Sequence, residues 1–160
     1  MQLLVMRHGK AEDSHPQGDP ARRIVDIGRE QARRAARVLA HAQQLPDIVL
    51  TSPYERALRT AEEFCTTAGL AAPIIQDWLA CGMHPQTAMR ELSAFSEFRH
   101  IAIVGHEPDL SCLISHIIEA PYGSVLMKKG AFAAIECSPP ARGGILLYLV
   151  PPTLTHQAKV

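Results

Sequence analysis

Short apolar runs alternate along the chain with longer segments in which apolar residues recur every three to four positions. The short runs are typical of buried strands and the longer segments of amphipathic helices. Strands are predicted over Gln2–Met6, Asp47–Thr51, Pro73–Gln76, His100–Val104, Ala131–Cys137 and Ile145–Val150. Helices are predicted over about Gly28–Gln43, Pro53–Ala68, Pro85–Phe98 and Asp109–Ile118, with Ser52 as the N-cap of the second and Gly69 as its stop signal.

The alternation of strands and helices predicts a three-layer α/β/α fold around a mostly parallel mixed sheet of about six strands. One domain is expected over residues 1–150, followed by an irregular tail over residues 151–160. A turn rich in proline and glycine joins the last two predicted strands, so they are expected to form a hairpin at the sheet edge.

Charge and cysteine content narrow the range of partners and compartments. Sixteen basic residues balance sixteen acidic ones, so the global charge does not favour nucleic acid or a membrane as a partner. The apolar runs Gln2–Met6 and Ile145–Val150 are too short for a signal-peptide core or a membrane span. Four cysteines without C-x-x-C spacing indicate reduced thiols. These features together predict a cytoplasmic protein.

Two histidines follow predicted strands, where ligands gather in parallel sheets. In Arg7-His8-Gly9, neutral imidazole is a competent nucleophile near neutral pH, and the arginine fork matches phosphate. The alternative is a sharp glycine turn with no function. His106, in Gly105-His106-Glu107, stands between a strand and a helix. Its alternative role is a structural histidine satisfied by backbone groups.

Arg56 falls in the first turn of the helix that follows Ser52. The positive end of the helix dipole makes an arginine unfavourable there unless an anion joins it. The alternatives are a solvated arginine or one that pairs with Glu12, Asp13 or Glu55. A further basic run is interpreted as a solvated helix face, or else as a docking surface for an acidic protein or nucleic acid; it comprises Arg22, Arg23, Arg29, Arg33, Arg34 and Arg37.

The sequence contains no H-E-x-x-H pair, no phosphate-binding G-x-x-x-x-G-K loop and no dinucleotide-binding G-x-G-x-x-G turn. Neither a metal nor a cofactor is therefore expected.

Taken in order along the chain, these motifs resemble the histidine phosphatase superfamily, which includes phosphoglycerate mutase. Within it, the short chain is similar to the SixA type of phosphohistidine phosphatase. The resemblance covers about residues 1–150 and rests on Met6-Arg-His-Gly9, Ser52-Pro53-x-x-Arg56-Ala57-x-x-Thr60, Cys81-Gly82, Val104-Gly-His-x-Pro108 and Lys129-Gly130-Ala131.

The resemblance implies that His8 attacks phosphorus and carries the phosphoryl group as a covalent intermediate. It implies that Arg7, Arg56 and His106 hold the phosphate oxygens. We expect the neighbouring arginines to lower the pKa of both histidines and bound phosphate to raise that of His106.

The chain departs from the family in two places. Val25 stands where a capping threonine is common before the first long helix, so Asp26 is the alternative cap. The acid that protonates the leaving oxygen in the larger relatives has no clear equivalent, and Asp77 and Glu107 are the candidates.

Three hypotheses follow. The main one is a phosphatase that hydrolyses phosphohistidine on a phosphotransfer or phosphocarrier protein. The second is a phosphatase for small phosphomonoesters that uses the same pocket. The third is a non-catalytic module that binds phosphorylated partners.

Overall fold

The computed structural model describes residues 1–157. Within that range the strands are β1 (Gln2–Arg7), β2 (Ile48–Thr51), β3 (Ile74–Ile75), β4 (His100–Gly105), β5 (Phe132–Glu136) and β6 (Ile145–Val150). The helices are α1 (Asp26–His41), α2 (Glu55–Ala68), α3 (Pro85–Ser93), α4 (Asp109–Ile117) and α5 (Pro152–Gln157). Two 3₁₀ turns, Asp19–Ala21 and Asp77–Leu79, lie before α1 and after β3.

The strands form one sheet in the order β3-β2-β4-β1-β5-β6. Strands β3, β2, β4 and β1 run parallel, whereas β5 and β6 extend the sheet antiparallel on the other side of β1. The predicted mixed, mostly parallel sheet is therefore confirmed, and so is the edge hairpin formed by the last two strands.

Helices cover both faces of the sheet because its central strands are apolar on both sides. In β1, Leu3 and Val5 face a core built with α3 and α4, whereas Leu4 and Met6 face a second core built with α1 and α2. The three-layer α/β/α prediction is confirmed. No helix in residues 1–157 combines the length and the apolar character that a membrane crossing needs.

Helix α1 begins at Asp26, two residues before the predicted start. Neither Val25, the N-cap residue, nor Asp26 makes a side-chain capping bond. The Asp26 carboxylate lies in the first turn, where it complements the helix dipole. Gly28, the predicted first residue, lies inside the helix against Gly9, and a Cβ on either glycine would collide with the other segment. Glycine at both positions lets α1 approach the loop after β1 closely.

Helix α2 begins at Glu55, with Tyr54 at the N-cap position, so the assignment of Ser52 as N-cap is wrong. The Ser52 hydroxyl accepts a bond from the Tyr54 backbone N–H at 3.2 Å and thereby shapes the turn that enters the helix. The helix ends as predicted, because Gly69 adopts the left-handed conformation with φ of 69°.

Two further boundaries differ from prediction. Helix α3 ends at Ser93 rather than near Phe98, although Phe95 and Phe98 still pack against the core from the following turns. Their burial explains why the helical spacing continued in the sequence. The predicted irregular tail contains α5, a short helix that packs against α1. Residues 158–160 of that tail lie outside the described residues.

Candidate active site

Three parallel strand ends bring the candidate residues to one edge of the sheet. Arg7 pairs with Gly105 at the ends of β1 and β4, and the next backbone N–H, from His8, donates to the Gly105 carbonyl at 3.1 Å. On the other side of β4, the Ser52 N–H donates to the Val104 carbonyl at 3.0 Å. His8, Ser52 and His106 therefore follow three adjacent strands.

The His8 side chain is buried, with 5% of its surface exposed. Its Nδ1 lies 2.7 Å from the Gly9 carbonyl oxygen. Because a carbonyl oxygen only accepts, this contact assigns the ring proton to Nδ1 and leaves a lone pair on Nε2. Burial lowers the pKa of His8 to about 3, with smaller contributions from His106, Arg56 and Arg7. The imidazole is therefore neutral near neutral pH, as a nucleophile requires.

Arg56 lies in the first turn of α2 and is 4% exposed, so the alternative of a solvated surface arginine is wrong. Its Nε donates to His8 Nε2 at 3.2 Å. Its terminal nitrogens donate to the Asp19 carbonyl at 2.7 Å and to Asp19 Oδ2 at 2.9 Å. Its acidic partner is thus Asp19, and Glu55 instead pairs with Arg59.

His106 is 2% exposed, and its ring centroid lies 5.3 Å from that of His8. Its Nε2 bonds the Ser52 hydroxyl at 2.7 Å, whereas Nδ1 has no partner among residues 1–157. The pKa of His106 is lowered to about 4, first by burial and then by Arg56, while Asp19 acts in the opposite direction. The expected lowering of both histidine pKa values is confirmed, but burial rather than the arginines is its main cause.

Arg7 is half-buried at the end of β1. Its Nη1 donates to the Met127 carbonyl at 2.8 Å, and its Nε is buried without a partner in the described part of the chain. Burial lowers the pKa of Arg7, and the nearby Glu107 carboxylate opposes that shift. The guanidinium is therefore fixed by a neutral carbonyl and keeps donors for an anion.

The two candidate acids occupy different environments. Asp77 is exposed in the 3₁₀ turn after β3, and its side chain makes no hydrogen bond within residues 1–157. Glu107 follows His106 directly and is half-buried, with Oε1 accepting a bond from the Ser111 hydroxyl at 2.7 Å. Burial raises the pKa of Glu107, against the effects of Ser111 and Arg7. Of the two, Glu107 is the carboxyl associated with the site.

Two residues of the site were missed from the sequence. Asp19 belongs to a polar loop whose path depends on tertiary contacts, so no local pattern pointed to it. Ser52 carried a signal, but one that favoured a helix cap over a contact with His106. Among residues 1–157, no group of three or more histidine, cysteine, aspartate or glutamate side chains could hold a metal ion.

The geometry groups His8, Arg7, Arg56 and His106 around the carboxyl ends of the parallel strands. It provides one neutral imidazole with a nitrogen lone pair, two guanidinium groups and an imidazole nitrogen without a partner among residues 1–157. Such donors suit a tetrahedral oxyanion such as phosphate.

Comparisons with known proteins show which proteins the chain is similar to. The model of the histidine phosphatase superfamily, branch 1, matches residues 3–80, which include His8 and Arg56. A 2,3-bisphosphoglycerate-dependent phosphoglycerate mutase from Thermobifida fusca is 46% identical over 80 residues, or 48% of this chain and 32% of the mutase. The chain thus matches about a third of the length of that curated relative.

Solved structures extend the likeness of the fold to nearly the whole chain. The protein histidine phosphatase SixA complexed with tungstate superposes with a TM-score of 0.84 at 22% identity, covering 96% of this chain and 99% of that one. The alpha-ribazole phosphatase from Shigella flexneri superposes with a TM-score of 0.74 at 22% identity, covering 95% and 97%. Residues 3–80 are thus similar to the histidine phosphatase superfamily, and nearly the whole chain shares the fold of the SixA structure.

Proposed function

We propose that this protein is a metal-independent phosphatase that removes the phosphoryl group from phosphohistidine on a phosphotransfer or phosphocarrier protein. The observation that carries the proposal is the state of His8. Its ring is neutral, its proton is held on Nδ1 by Gly9, and its Nε2 lone pair points to Arg56. Phosphorus would take the place of the Arg56 Nε–H at that lone pair, so this hydrogen bond would break when His8 attacks.

Two displacements at phosphorus make up the reaction. In the first, His8 Nε2 forms a bond to phosphorus and the bond to the substrate nitrogen breaks, its electron pair staying on the leaving imidazole. In the second, a water oxygen bonds to phosphorus, the pair returns to Nε2, and the water protons leave with the phosphate. Arg7, Arg56 and His106 would stabilise the oxygens in both steps, and the covalent intermediate divides one difficult reaction into two.

The choice of phosphohistidine rests on leaving-group chemistry. The conjugate acid of imidazole has a pKa of about 6.5, whereas an alkoxide resembles hydroxide, whose parent water has a pKa near 15.7. Roughly nine units at about 1.4 kcal/mol each set an upper bound near 12 kcal/mol on the difference, only part of which is expressed in a loose transition state. A site without a strong acid is better suited to a phosphorus–nitrogen bond.

The nucleophile and the leaving group of the first step are also matched in chemical character, because both are imidazoles. In the phosphoenzyme the proton would stay on His8 Nδ1, which donates a hydrogen bond to the Gly9 carbonyl oxygen at 2.7 Å. The similarity of the fold to the SixA structure, which contains the oxyanion tungstate, supports the same substrate class. We further propose a cytoplasmic location, which suits the free thiols of Cys65, Cys81, Cys112 and Cys137.

Hydrolysis of small phosphomonoesters is the second candidate function, and Glu107 is the observation that favours it. A half-buried carboxyl with a raised pKa beside Arg7 is suited to donate a proton to a leaving oxygen. The related fold of an alpha-ribazole phosphatase agrees with an ester substrate.

A substrate panel separates the two candidates. Peptides of one sequence that carry phosphohistidine or phosphoserine are compared by kcat/KM, together with a sugar phosphate. The proposal predicts a strong preference for phosphohistidine in the wild type. The variant Glu107→Gln tests the acid, and Asp77→Asn is the matched control because Asp77 is exposed. A preference for esters that Glu107→Gln alone removes would instead establish the second candidate.

A further inference from the structure

Asp19 lies in the loop between β1 and α1 and bonds the buried arginine of the site through two of its oxygen atoms. Its carbonyl accepts from Arg56 Nη1 at 2.7 Å, and its Oδ2 accepts from Arg56 Nη2 at 2.9 Å. Its other carboxylate oxygen, Oδ1, accepts from Arg22 Nη1 at 2.8 Å. Two arginines therefore fix the position and the charge of this carboxylate.

The Asp19 carboxylate lies on the outer, solvent-facing side of the candidate site. Arg56 contacts His8 through Nε and Asp19 through its terminal nitrogens, so the guanidinium separates the nucleophile from the carboxylate. His8 is 5% exposed, whereas the Asp19 side chain is 51% exposed. The direction from His8 to Asp19 is thus the direction from the interior to solvent.

A leaving group departs on this outer side, because displacement at phosphorus places the attacking and leaving atoms roughly in line. The charge of Asp19 also acts on His106, because it opposes the lowering of the His106 pKa. A carboxylate in this position accepts hydrogen bonds and repels negative charge.

Phosphohistidine and phosphate esters differ on the side that faces this carboxylate. When phosphohistidine is protonated, its second ring nitrogen carries an N–H donor and the ring is cationic. An ester oxygen has no such donor, and a sugar acid adds a negative charge. A carboxylate near the leaving group therefore favours protonated phosphohistidine and disfavours phosphate esters, including those of a sugar acid.

We infer that Asp19 is a specificity-determining residue, whose carboxylate selects a cationic, N–H-bearing leaving group over ester and acidic leaving groups. The inference rests on the proposed function and deepens it. In the selected reaction the bond from phosphorus to the substrate nitrogen breaks while the bond to His8 Nε2 forms. The electron pair stays on the leaving nitrogen, and the proton on the other ring nitrogen departs with a neutral imidazole.

The kinetic test compares Asp19→Asn and Asp19→Glu with the wild type on matched phosphohistidine and phosphoserine peptides. Asp13→Asn is the control, because Asp13 is an exposed acid in the same loop. In Asp19→Asn the ratio of the two kcat/KM values is expected to fall about tenfold in favour of phosphoserine, as loss of a charged hydrogen bond predicts. Asp19→Glu is expected to retain part of the preference and Asp13→Asn all of it.

A binding measurement keeps this test separate from that of the proposed function. Affinities for the same two peptides are measured by calorimetry for His8→Ala and for His8→Ala combined with Asp19→Asn, neither of which needs turnover. The single variant is expected to prefer the phosphohistidine peptide, and the double variant to lose about tenfold of that preference.

The possible outcomes are distinct. Equal changes for both peptides on replacement of Asp19, or no preference in the His8→Ala background, would overturn the inference and reduce Asp19 to an anion that competes with phosphate for Arg56. Failure of the wild type to hydrolyse either peptide would reject the proposed function, while the ratio of affinities would still decide the role of Asp19.

Discussion

Arg56 and Arg59 lie three positions apart on α2, yet their surroundings differ. Arg59 is at the surface, where it bonds Glu55 at 2.8 Å and Glu62 at 2.7 Å. Arg56 is buried and bonds the neutral imidazole of His8, a backbone carbonyl and a single carboxylate from Asp19. The surface arginine bonds two carboxylates, whereas the buried one bonds a single carboxylate, which Arg22 shares, and otherwise neutral groups.

The same contrast extends to the basic run on α1. Arg29 and Arg33 share Glu63, and Arg34 and Arg37 share Glu30. These pairs favour the interpretation of a solvated, ion-paired helix face over that of a basic docking surface. In the candidate site, Arg7 instead donates to the Met127 carbonyl. Because this acceptor is neutral, it leaves the positive charge of Arg7 available to an anion.

The largest effect is expected when the buried arginine of α2 is replaced. Arg56→Lys keeps a charge but loses the planar fork, so kcat/KM for the phosphohistidine peptide is expected to fall about 10²- to 10³-fold. Arg59→Lys is the matched control, and its activity is expected to stay within about twofold of the wild type because its ion pairs are at the surface. Steady-state kinetics provide the measurement. Equal losses in the two variants would contradict a special role for Arg56.

Acid is expected to destabilise the protein through the buried histidines. The pKa values of His8 and His106 are about 3 and about 4 in the folded state, below the ordinary value near 6.5 in the unfolded chain. Between about pH 6.5 and 4 the unfolded state binds more protons, so stability falls as the pH is lowered. Each histidine contributes up to about 1.4 kcal/mol per pH unit.

Urea unfolding at several pH values between 7 and 5 measures this slope. Carboxylates also contribute to the slope of stability against pH. The informative quantity is therefore the difference in slope between the wild type and His106→Asn, in which the carboxylates contribute alike. The variant is expected to show a shallower loss of stability on acidification. Identical slopes would mean that His106 does not resist protonation in the fold.

A smaller effect is expected from the hydroxyl that orients His106. Ser52→Ala leaves His106 Nε2 without its 2.7 Å partner, and a lost hydrogen bond of this kind predicts a decrease of about tenfold in kcat/KM. Ser124→Ala is the control, since Ser124 is exposed and bonds only the Pro121 carbonyl. If Ser52→Ala matches this control in activity, the Ser52 contact does not position His106.

The smallest effect is expected on the outer face of α1. Glu63→Gln removes the shared partner of Arg29 and Arg33, and surface pairs of this kind predict a stability change within about 1 kcal/mol. Activity is expected to remain at the wild-type level. Chemical unfolding and the phosphohistidine assay measure the two effects, and a large loss of activity would link this face to the substrate.

The central part of the site was predictable from the sequence because it depends on strand order. His8 and His106 both follow buried strands, and parallel strand ends meet at one edge of a sheet. The register of Arg7 with Gly105 brings the two histidines side by side. The burial of Arg56 and its contact with Asp19 were harder to predict from the sequence, because both depend on the path of the loop that carries Asp19.

The boundaries that differed have physical causes of the same kind. The Ser52 hydroxyl bonds His106 and the Tyr54 N–H in the turn before α2, and it does not act as the N-cap of the helix. Helix α5 is too short to be stable by propensity, so its packing against α1 explains it better than any local pattern. Tertiary contacts decided each of these cases.

The nucleophilic role of His8 is tested most directly by rapid chemical quenching of the wild type with a phosphohistidine peptide, followed by mass spectrometry of the protein. We expect a phosphoryl group on His8 that is stable in base and labile in acid, and we expect neither this species nor turnover in His8→Asn. His15→Asn serves as a control in the loop after β1. Hydrolysis that continues in His8→Asn, or wild-type turnover without phosphorylation of His8, would show that His8 is not the nucleophile.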